Sequence, residues 1–248
     1  EDLAFRLAPR INAAGRMAHA MAAFRLLTAT EPSSAARIAA LLERLNERRR
    51  RIETRMLTQA QELIKQKPAL SRRRALVLSH STWPEGVLGI VASRLVRTLH
   101  LPVVMISTRS GIGKGSARSI PGIDLHKTLL QISDGLDRFG GHAMAAGLTI
   151  AVDRIEEFEH RLDDAVRRST GPETFAKTLF IDAEIALSEM SDALLEEIEA
   201  LGPFGEGNPE PLLMARSVEV VSTRPVGAGH MKMQLRQGGG RMFEAIRF

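Results

Sequence analysis

The sequence predicts an α/β protein in which a sheet with packed helices is followed by a small all-β barrel. Between residues 74 and 168, short apolar runs alternate with amphipathic stretches, which is typical of strands and helices built around one sheet. Residues 32–67 carry apolar side chains at helical spacing. Beyond residue 210, strand-like segments alternate with glycine-rich turns, as they do in small barrels.

The N-terminal part is predicted to be helical. Residues 17–29 are rich in Ala and Leu and predict a short helix. A second helix over 32–67 follows, because no helix-breaking residue occurs before Pro68. Such a long, charged helix commonly connects two domains. Four consecutive arginines, Arg48–Arg51, lie midway along it and indicate a solvated helix face, with DNA contact as the alternative.

The middle of the chain has the pattern of strands joined by helices. Predicted strands lie at 75–78, 101–106 and 148–152, and predicted helices lie at 83–97, 124–132 and 154–168. Asp124 is the expected N-terminal cap of the second helix. Asp163 and Asp164 belong to the third helix, where we expect both on the solvated face.

A linker of Ser, Thr, Gly and Pro at 169–172 precedes the C-terminal region. We expect a short acidic helix near 191–200 there. The expected strands lie at 212–222, 231–236 and 242–247. Short strands separated by glycine-rich turns favour a small all-β barrel.

The composition excludes several classes of protein. Hydrophobic residues make up 44% and charged residues 25%, which is ordinary for a globular protein. Cysteine is absent, which excludes disulfides, a thiol nucleophile and a cysteine zinc site. There is no apolar run of membrane-spanning length and no signal peptide, so we expect a cytoplasmic protein. The chain starts without Met inside a helical pattern, which suggests a piece of a longer protein.

The charges are distributed unevenly along the chain. The net charge is +5, but residues 71–128 contain nine Lys and Arg against two Asp and Glu, whereas residues 151–200 contain five against fourteen. This asymmetry indicates a polyanionic partner such as nucleic acid, with a solvated basic face as the alternative. Aromatic residues make up only 4%, so we expect contacts to the nucleic-acid backbone to dominate over base stacking.

The glycine-rich segment SGIGKGSARS at 110–119 resembles a phosphate loop but lacks the Walker spacing, because Gly115 follows Lys114. Its glycines allow backbone N–H groups to approach an oxyanion, and Ser116, Arg118 and Ser119 supply further donors. The alternative is an edge strand weakened by glycine.

A second segment, FGGHAMAAG at 139–147, combines two adjacent glycines with a histidine. Gly140 and Gly141 allow another group to approach the backbone closely. His142 is suited to donate to a phosphate or sugar oxygen, although a lone histidine is usually structural. Together, the two segments predict a site at which His142 contacts a nucleic-acid backbone.

The same residues resemble a known family. GSARSIPGIDL followed by FGGHAMAAGLTI is similar to the DHHA1 domain of the DHH phosphoesterases. Within that superfamily, LAPRINAAGRM at 7–17, LGPFGEGNPEP at 201–211, and HMKMQLRQ with FEAIRF at 230–248 resemble the RecJ family of single-strand-specific exonucleases. The resemblance covers essentially the whole chain, in the right order.

The resemblance implies a DHH lobe joined by a long helix to a DHHA1 domain with a mixed sheet, and an appended oligonucleotide-binding (OB-like) barrel. It assigns 1–30 to the tail of the DHH lobe, 31–68 to the connecting helix, 70–170 to the DHHA1 domain and 173–248 to an incomplete OB-like domain. In the family, Asp and His side chains of the DHH lobe bind divalent metal, Mn²⁺ or Mg²⁺. This chain contains no DHH triplet and no clustered Asp and His, so we expect the metal ligands in a missing N-terminal lobe and no activity from this chain alone.

Individual roles are implied by the resemblance as well. Ser116 and Arg118 match the positions that hold the terminal phosphate of the substrate strand. Gly140, Gly141 and His142 match the motif that closes over the terminal nucleotide, where His142 would position the substrate. The stretch that borders the path of the strand contributes Arg10, Asn12 and Arg16.

The function implied is that of an exonuclease that degrades single-stranded DNA from its 5′ end in DNA repair and recombination. A single-strand-binding protein or a helicase is an implied partner, and no membrane is involved. One alternative is a phosphoesterase for short oligonucleotides or cyclic dinucleotides, which would share the DHHA1 motifs but would not need the barrel. Another is a non-catalytic module that binds single strands through the barrel and does not use His142.

Overall fold

The computed structural model describes residues 2–66, 72–227 and 229–248, which form two units, Glu1–Lys177 and Thr178–Phe248. The helices are α1 (Ala8–Met17), α2 (Met21–Leu27), α3 (Pro32–Gln66), α4 (Glu85–Leu99), α5 (Leu125–Gln131), α6 (Ile155–Ser169) and α7 (Asp192–Ala200). The strands are β1 (Leu76–His80), β2 (Val103–Ser107), β3 (Ile112–Arg118), β4 (Arg138–His142), β5 (Ala145–Ala151), β6 (Ala183–Glu184), β7 (Leu213–Met214), β8 (Val218–Val226), β9 (His230–Gln237) and β10 (Phe243–Arg247).

The N-terminal helices differ from the expected single helix over 17–29. Helix α1 ends at Met17, and α2 begins only at Met21. The reason is a local cap, because the backbone N–H of Met21 donates to Nδ1 of His19 over 3.1 Å. Ala14, Ala23 and Leu42 are buried where α1 and α2 pack against α3.

The predicted long helix is confirmed as α3, which runs for 35 residues; its expected end near Pro68 lies outside the described residues. The expectation of a solvated arginine face is wrong for Arg49. Arg49 lies on the same face as Asn46 and Glu53, and it donates to Asn46 over 3.0 Å and to Glu53 over 2.8 Å. Glu53 also pairs with Arg94 of α4 over 3.0 Å, which links the two helices.

No helix in the parts of the chain that the structure describes is both long and apolar enough to cross a membrane. This finding includes α3, whose surface carries many charged side chains.

The first unit contains a five-stranded sheet in the order β1-β2-β3-β5-β4. Strands β1 and β2 are parallel and are connected through α4, and the other neighbours are antiparallel. The predicted mixed sheet with helices is therefore confirmed. Asp124 caps α5 as expected, because its side chain accepts from the N–H of Lys127 over 3.0 Å.

The segment 110–119 contains β3, which is not an edge strand, so the alternative of an edge strand weakened by glycine is corrected. Strand β3 lies in the centre of the sheet, paired with β2 on one side and β5 on the other. Its glycines make room for large neighbours on β5. A Cβ on Gly113 would lie 2.8 Å from Ile150, and a Cβ on Gly115 would lie 2.7 Å from Leu148.

The segment 139–147 is a β-hairpin, so β5 begins three residues before the predicted strand at 148–152. Strands β4 and β5 pair up to His142 and Ala145, and a two-residue turn of Ala143 and Met144 connects them. The carbonyl of Met144 accepts from the N–H of Ser119 over 3.0 Å, and that of Ala143 accepts from Leu125 over 2.9 Å. These bonds fix the hairpin tip against the segment that follows β3.

The two faces of this sheet are covered differently. On one face, all strands of the sheet except β4 contribute buried residues to a core with α5 and α6, including Val104, Ala117 and Leu148. On the other face, β1 and β2 pack against α4 and α3 through residues such as Met105 and Met56. Strands β4 and β5 contribute no buried residue to this second core, so their part of that face is open.

The second unit contains a three-stranded antiparallel sheet in the order β10-β9-β8 and a parallel pair of β6 with β7. The acidic helix near 191–200 is confirmed as α7, capped by Ser191. The expected strand over 212–222 is instead divided into β7 and β8. Ser217 separates them, because its φ of 52° interrupts the extended backbone.

Asp163 of α6 is buried, contrary to the expected solvated face, whereas Asp164 is exposed. The Asp163 carboxylate accepts from the N–H groups of Arg74 and Ala75 and from Nε of Arg167 over 2.8 Å. Burial raises the pKa of Asp163, but these hydrogen bonds together outweigh burial and leave the pKa below its usual value. The carboxylate thus fixes α6 to the start of β1.

We expect Asp163→Asn to lower the free energy of unfolding by about 3 kcal/mol at pH 7, because several buried donors lose a charged acceptor. Because the folded pKa is depressed, this contribution is fully present above the unfolded value of about 3.9 and is lost as the pH falls through the folded value. Urea unfolding at pH 7 and pH 3 measures it, with the exposed neighbour in Asp164→Asn as the matched control. Equal midpoints for the two variants at pH 7 would contradict the assignment.

Candidate nucleic-acid interface

The open part of the sheet presents three rows of side chains on the face that α4 partly covers. The strand register aligns residues of β3, β5 and β4 across the sheet, and paired residues point to the same face. The rows are Lys114 with Thr149 and Arg138, Ser116 with Gly147 and Gly140, and Arg118 with Ala145 and His142. The predicted residues Ser116, Arg118, Gly140 and His142 therefore lie together on one surface.

The middle row projects little from the sheet because two of its three residues, Gly140 and Gly147, are glycines. A Cβ on Gly140 would meet no atom within 4 Å, and a Cβ on Gly147 would meet only a backbone oxygen at 3.9 Å. The protein fold itself does not require glycine at either position for space. A groove of about 480 Å³ lies over this row, and its lining includes Glu85 and Lys114. The row leaves room for a ligand backbone.

Gly141 has a different role from its neighbour. Its φ of 147° is one that other residues rarely adopt. A Cβ there would lie 2.3 Å from the carbonyl oxygen of Ala145 and 2.6 Å from Cα of Ala146. Gly141 is thus required by the hairpin, whereas Gly140 faces open space.

Arg118 lies half-buried between β3 and α4. Its Nη1 donates to the Ser116 hydroxyl over 3.2 Å and to the Ala117 carbonyl over 2.8 Å. Gly89 of α4 makes this position available, because a Cβ there would lie 2.6 Å from Nη2 of Arg118. Arg118 forms no ion pair with a carboxylate in the described part of the chain. Its positive charge is therefore free to bind an anion.

Arg16 brings a second positive charge to the same region. Its Nη1 donates to the carbonyl of Gly86 at the start of α4 over 3.3 Å. The backbones approach closely there, since a Cβ on Gly86 would lie 2.1 Å from the Arg16 carbonyl oxygen. Burial, and then the charge of Arg16, lower the pKa of Arg118. Two arginines near each other without a carboxylate are typical of a phosphate site.

His142 ends the third row and is exposed at the rim of the hairpin. It stands in register with Arg118, separated by Ala145, whose small side chain leaves the space between them open. A ring in this position can donate to an oxygen of a ligand lying across the sheet.

Three further candidates lie elsewhere or are already engaged. Ser119 is buried, and its hydroxyl donates to the Ile123 carbonyl over 2.8 Å, so we remove it from the candidate contacts. Arg10 pairs with Glu43 of α3 and donates to the Arg6 carbonyl, which gives it a role in holding α1 to α3. Asn12 is exposed on α1, four residues before Arg16.

The described residues contain no group of three or more His, Cys, Asp or Glu that could hold a metal ion. The carboxylates that are buried have other partners, since Asp163 is bonded to α6 and β1, and Glu53 to two arginines. The donor set on the open sheet consists of cations, hydroxyls and one histidine, and Glu85 of α4 adds a single carboxylate to the lining of the groove over it. It fits an anion and does not fit Mn²⁺ or Mg²⁺.

Comparison with known proteins agrees with this geometry. Residues 73–168 match the family model of the DHHA1 domain, and residues 181–248 match that of the RecJ OB domain. The chain is 33% identical over 246 residues to the single-stranded-DNA-specific exonuclease RecJ of Bacillus subtilis, covering 98% of this chain. It is 36% identical over 258 residues to that of Dickeya dadantii, covering 100% of this chain. The chain belongs to the RecJ family.

Solved RecJ structures have the same fold. The crystal structure of RecJ in complex with Mn²⁺ from Thermus thermophilus matches 98% of this chain with a TM-score of 0.84 and 32% identity. The corresponding complex with Mg²⁺ matches 96% with a TM-score of 0.79. The chain spans 31% of the Bacillus relative, 44% of the Dickeya relative and 35% of the Mn²⁺-bound structure.

Some residues of this RecJ-family site were not predicted from sequence. Gly86 and Gly89 were read only as part of an ordinary helix, yet they determine where Arg16 and Arg118 can lie. Their spacing of three residues places both on one face of α4, which is the signal that sequence offered. Lys114 and Arg138 were missed as well, because the pairing of β3 with β5 and of β5 with β4 brings them together.

We expect Gly140→Ala to leave stability unchanged or raise it by up to about 1 kcal/mol, because the new methyl group meets nothing and the unfolded chain loses freedom. Gly141→Ala should instead lower stability by about 1–3 kcal/mol through strain and the clash with Ala145. Thermal unfolding of both variants provides the measurement. If Gly140→Ala were the more damaging change, Gly140 would be structural and not part of an open surface.

Proposed function

We propose that this chain provides substrate binding and 5′-end recognition for an exonuclease that degrades single-stranded DNA from its 5′ end in DNA repair and recombination. The observation that carries the proposal is Arg118, half-buried beside the Ser116 hydroxyl and without a carboxylate partner among the described residues. Burying an unpaired charge is costly, so a protein retains one where a ligand supplies the opposite charge. The names of the relatives and the RecJ OB match support the choice of single-stranded DNA.

In this proposal, the terminal phosphate binds Arg118 and Ser116, and the fork of the guanidinium holds two phosphate oxygens at once. The sugar–phosphate backbone then lies over the glycine row of Gly140 and Gly147. Few contacts of this kind read base edges, so binding would be independent of sequence.

His142 would position the terminal nucleotide by donating to one of its oxygens, in register with Arg118. Arg16 would border the path of the strand near the start of α4. Arg10 and Asn12 remain weaker proposals, because Arg10 is engaged with Glu43 and the exposed side chain of Asn12 forms no hydrogen bond with another described residue.

The hydrolytic chemistry is proposed to depend on a divalent metal, Mn²⁺ or Mg²⁺, held by ligands outside this chain. RecJ structures from Thermus thermophilus were solved in complex with each of these ions. When bound, such ions activate water and stabilise charge on a phosphodiester. The residues of this chain would hold the strand and determine which end enters.

A phosphoesterase for short oligonucleotides or cyclic dinucleotides is less well supported, because the RecJ OB match covers 181–248. A module that binds without catalysis would leave the arrangement around Arg118 without a role. A cytoplasmic location, and a single-strand-binding protein or a helicase as partner, remain predictions from the sequence.

Strands that carry a 5′-phosphate should bind this chain more tightly than strands with a 5′-hydroxyl. We expect Arg118→Ala to weaken binding of the phosphorylated strand about 10- to 100-fold, because a hydrogen bond to a charged group contributes roughly 1.5–3 kcal/mol. Binding of the hydroxyl strand should change much less. Arg118→Lys should restore binding only in part, since an ammonium cannot replace the planar fork. Fluorescence anisotropy at constant salt measures the affinity of each protein for each of the two strands.

The matched control for this experiment is Arg97→Ala, which removes an exposed arginine of α4 outside the site. This variant should bind both strands slightly more weakly than wild type, and to the same extent. If Arg118→Ala weakened both strands equally while circular dichroism showed an intact fold, Arg118 would be structural and the phosphate assignment wrong.

This chain alone should not hydrolyse labelled single strands in Mn²⁺ or Mg²⁺, because two-metal hydrolysis needs several convergent carboxylate or imidazole ligands. Incubation of the purified chain with a labelled strand and each metal tests this expectation. Steady 5′ degradation that co-elutes with the chain through two different columns would contradict it.

A further inference from the structure

A second cavity, of about 440 Å³, lies between the end of α1, the middle of α3 and the loop after β1. Its lining contains four arginines and no carboxylate. The arginines are Arg16, Arg48, Arg55 and Arg109. Arg16 lies on α1, Arg48 and Arg55 lie two turns apart on α3, and Arg109 lies between β2 and β3. The fold, and not a run of charges in the sequence, therefore brings them together.

None of these four arginines forms an ion pair within the described part of the chain. Other arginines nearby are paired with carboxylates of α3: Arg10 with Glu43, and both Arg49 and Arg94 with Glu53. Glu43 and Glu53 thus pair with arginines outside the cavity lining, and the cavity remains positive. Like charges held around one cavity repel each other unless an anion binds among them.

The remaining wall of the cavity is mainly apolar, and Gln59, Ser81 and Thr82 are its polar members. Trp83 is fully buried, and its Nε1 donates to Oε1 of Gln59 over 3.0 Å, so the indole is held in place. Ile52 and Met56 of α3 complete this wall. A lining that combines arginines with apolar side chains suits a phosphate that carries an organic group.

Arg16 links this cavity to the sheet site. It lines the cavity, it donates to Gly86 at the start of α4, and its charge is close enough to lower the pKa of Arg118. An extended polyanion could therefore contact Arg118 and the cavity at the same time, with Arg16 between them.

We infer that the four-arginine cavity binds an internal phosphodiester group of the single strand whose terminal phosphate lies at Arg118. The inference rests on the proposed function and extends it to a second phosphate subsite. Arginine is suited to it because the planar guanidinium grips phosphate oxygens in pairs. A free mononucleotide offers the same phosphate chemistry, and the experiment separates the two sources.

The test compares two variants of equal charge. Arg48→Ala/Arg55→Ala/Arg109→Ala removes the cavity cations except Arg16, and Arg37→Ala/Arg50→Ala/Arg97→Ala removes three exposed arginines outside the cavity. With a 5′-hydroxyl strand, the cavity variant should bind about 10- to 100-fold more weakly than the control variant. Its slope of log K against log salt should also be smaller by about 0.7 to 1, the loss of one phosphate contact.

Strands with a single uncharged methylphosphonate linkage locate the contact. Wild-type affinity should fall when the neutral linkage occupies one particular position counted from the 5′ end, and the cavity variant should be insensitive at that position. In a separate titration with dAMP, wild type and the cavity variant should not differ in affinity.

The outcomes are distinguishable. If the cavity and control variants bind equally while wild type still prefers a 5′-phosphate, the cavity inference is wrong and the proposed function stands. If wild type binds no single strand, the proposed function itself fails. If dAMP binds through the cavity arginines and strand affinity matches the control, the cavity takes free nucleotides and the internal phosphodiester is refuted. Removal of repelling charges should not lower the unfolding midpoint of the cavity variant. An unchanged midpoint shows that weaker binding is not caused by misfolding.

Discussion

The position of Arg118 between β3 and α4 is the constraint on which the rest of the candidate site depends. A guanidinium fits there only because Gly89 has no side chain, since a Cβ would lie 2.6 Å from Arg118 Nη2 and 3.0 Å from Ser116 Oγ. Gly86, on the same face of α4, allows α1 to approach with Arg16. Burial and the nearby Arg16 lower the pKa of Arg118, yet no carboxylate among the described residues neutralises it. The fold therefore holds an uncompensated positive charge at the edge of an open surface.

Side chains alternate between the two faces along the strands of the sheet. One face therefore packs into the core while the other forms the candidate binding surface. In β3, Ala117 faces the core of α5 and α6, while Ser116 and Arg118 face α4 and the open groove. In β5, Leu148 is buried and Gly147 is exposed. Because successive side chains point to opposite faces, the register that packs the apolar residues also aligns the polar ones. The hairpin turn, bonded to Ser119 and Leu125, fixes that register.

Periodicity in the sequence predicts those helices and strands that bury one face along their whole length. The 35-residue helix, the cap at Asp124 and the short helix near 191–200 were foreseen because their signals are local, whereas the mixed sheet was implied by the family resemblance. Strand β3 was not foreseen, since its glycines replace the apolar alternation on which strand prediction depends. Buried Asp163 was missed for another reason, as its donors at Arg74 and Ala75 lie 89 and 88 residues away in sequence. Motifs in the sequence predicted several side chains of the site. They did not predict that Gly86 and Gly89 provide the space in which Arg16 and Arg118 lie.

The central claim is that a 5′-phosphate binds Arg118 and Ser116 with the strand lying over the Gly140–Gly147 row. A crystal structure of this chain with a short 5′-phosphorylated single strand tests it most directly. The account predicts phosphate oxygens about 2.7–2.9 Å from the Arg118 guanidinium, as in charge-assisted hydrogen bonds, and the backbone in contact with both glycines. It would be contradicted by a strand that is well ordered elsewhere on the chain while Arg118 contacts no phosphate.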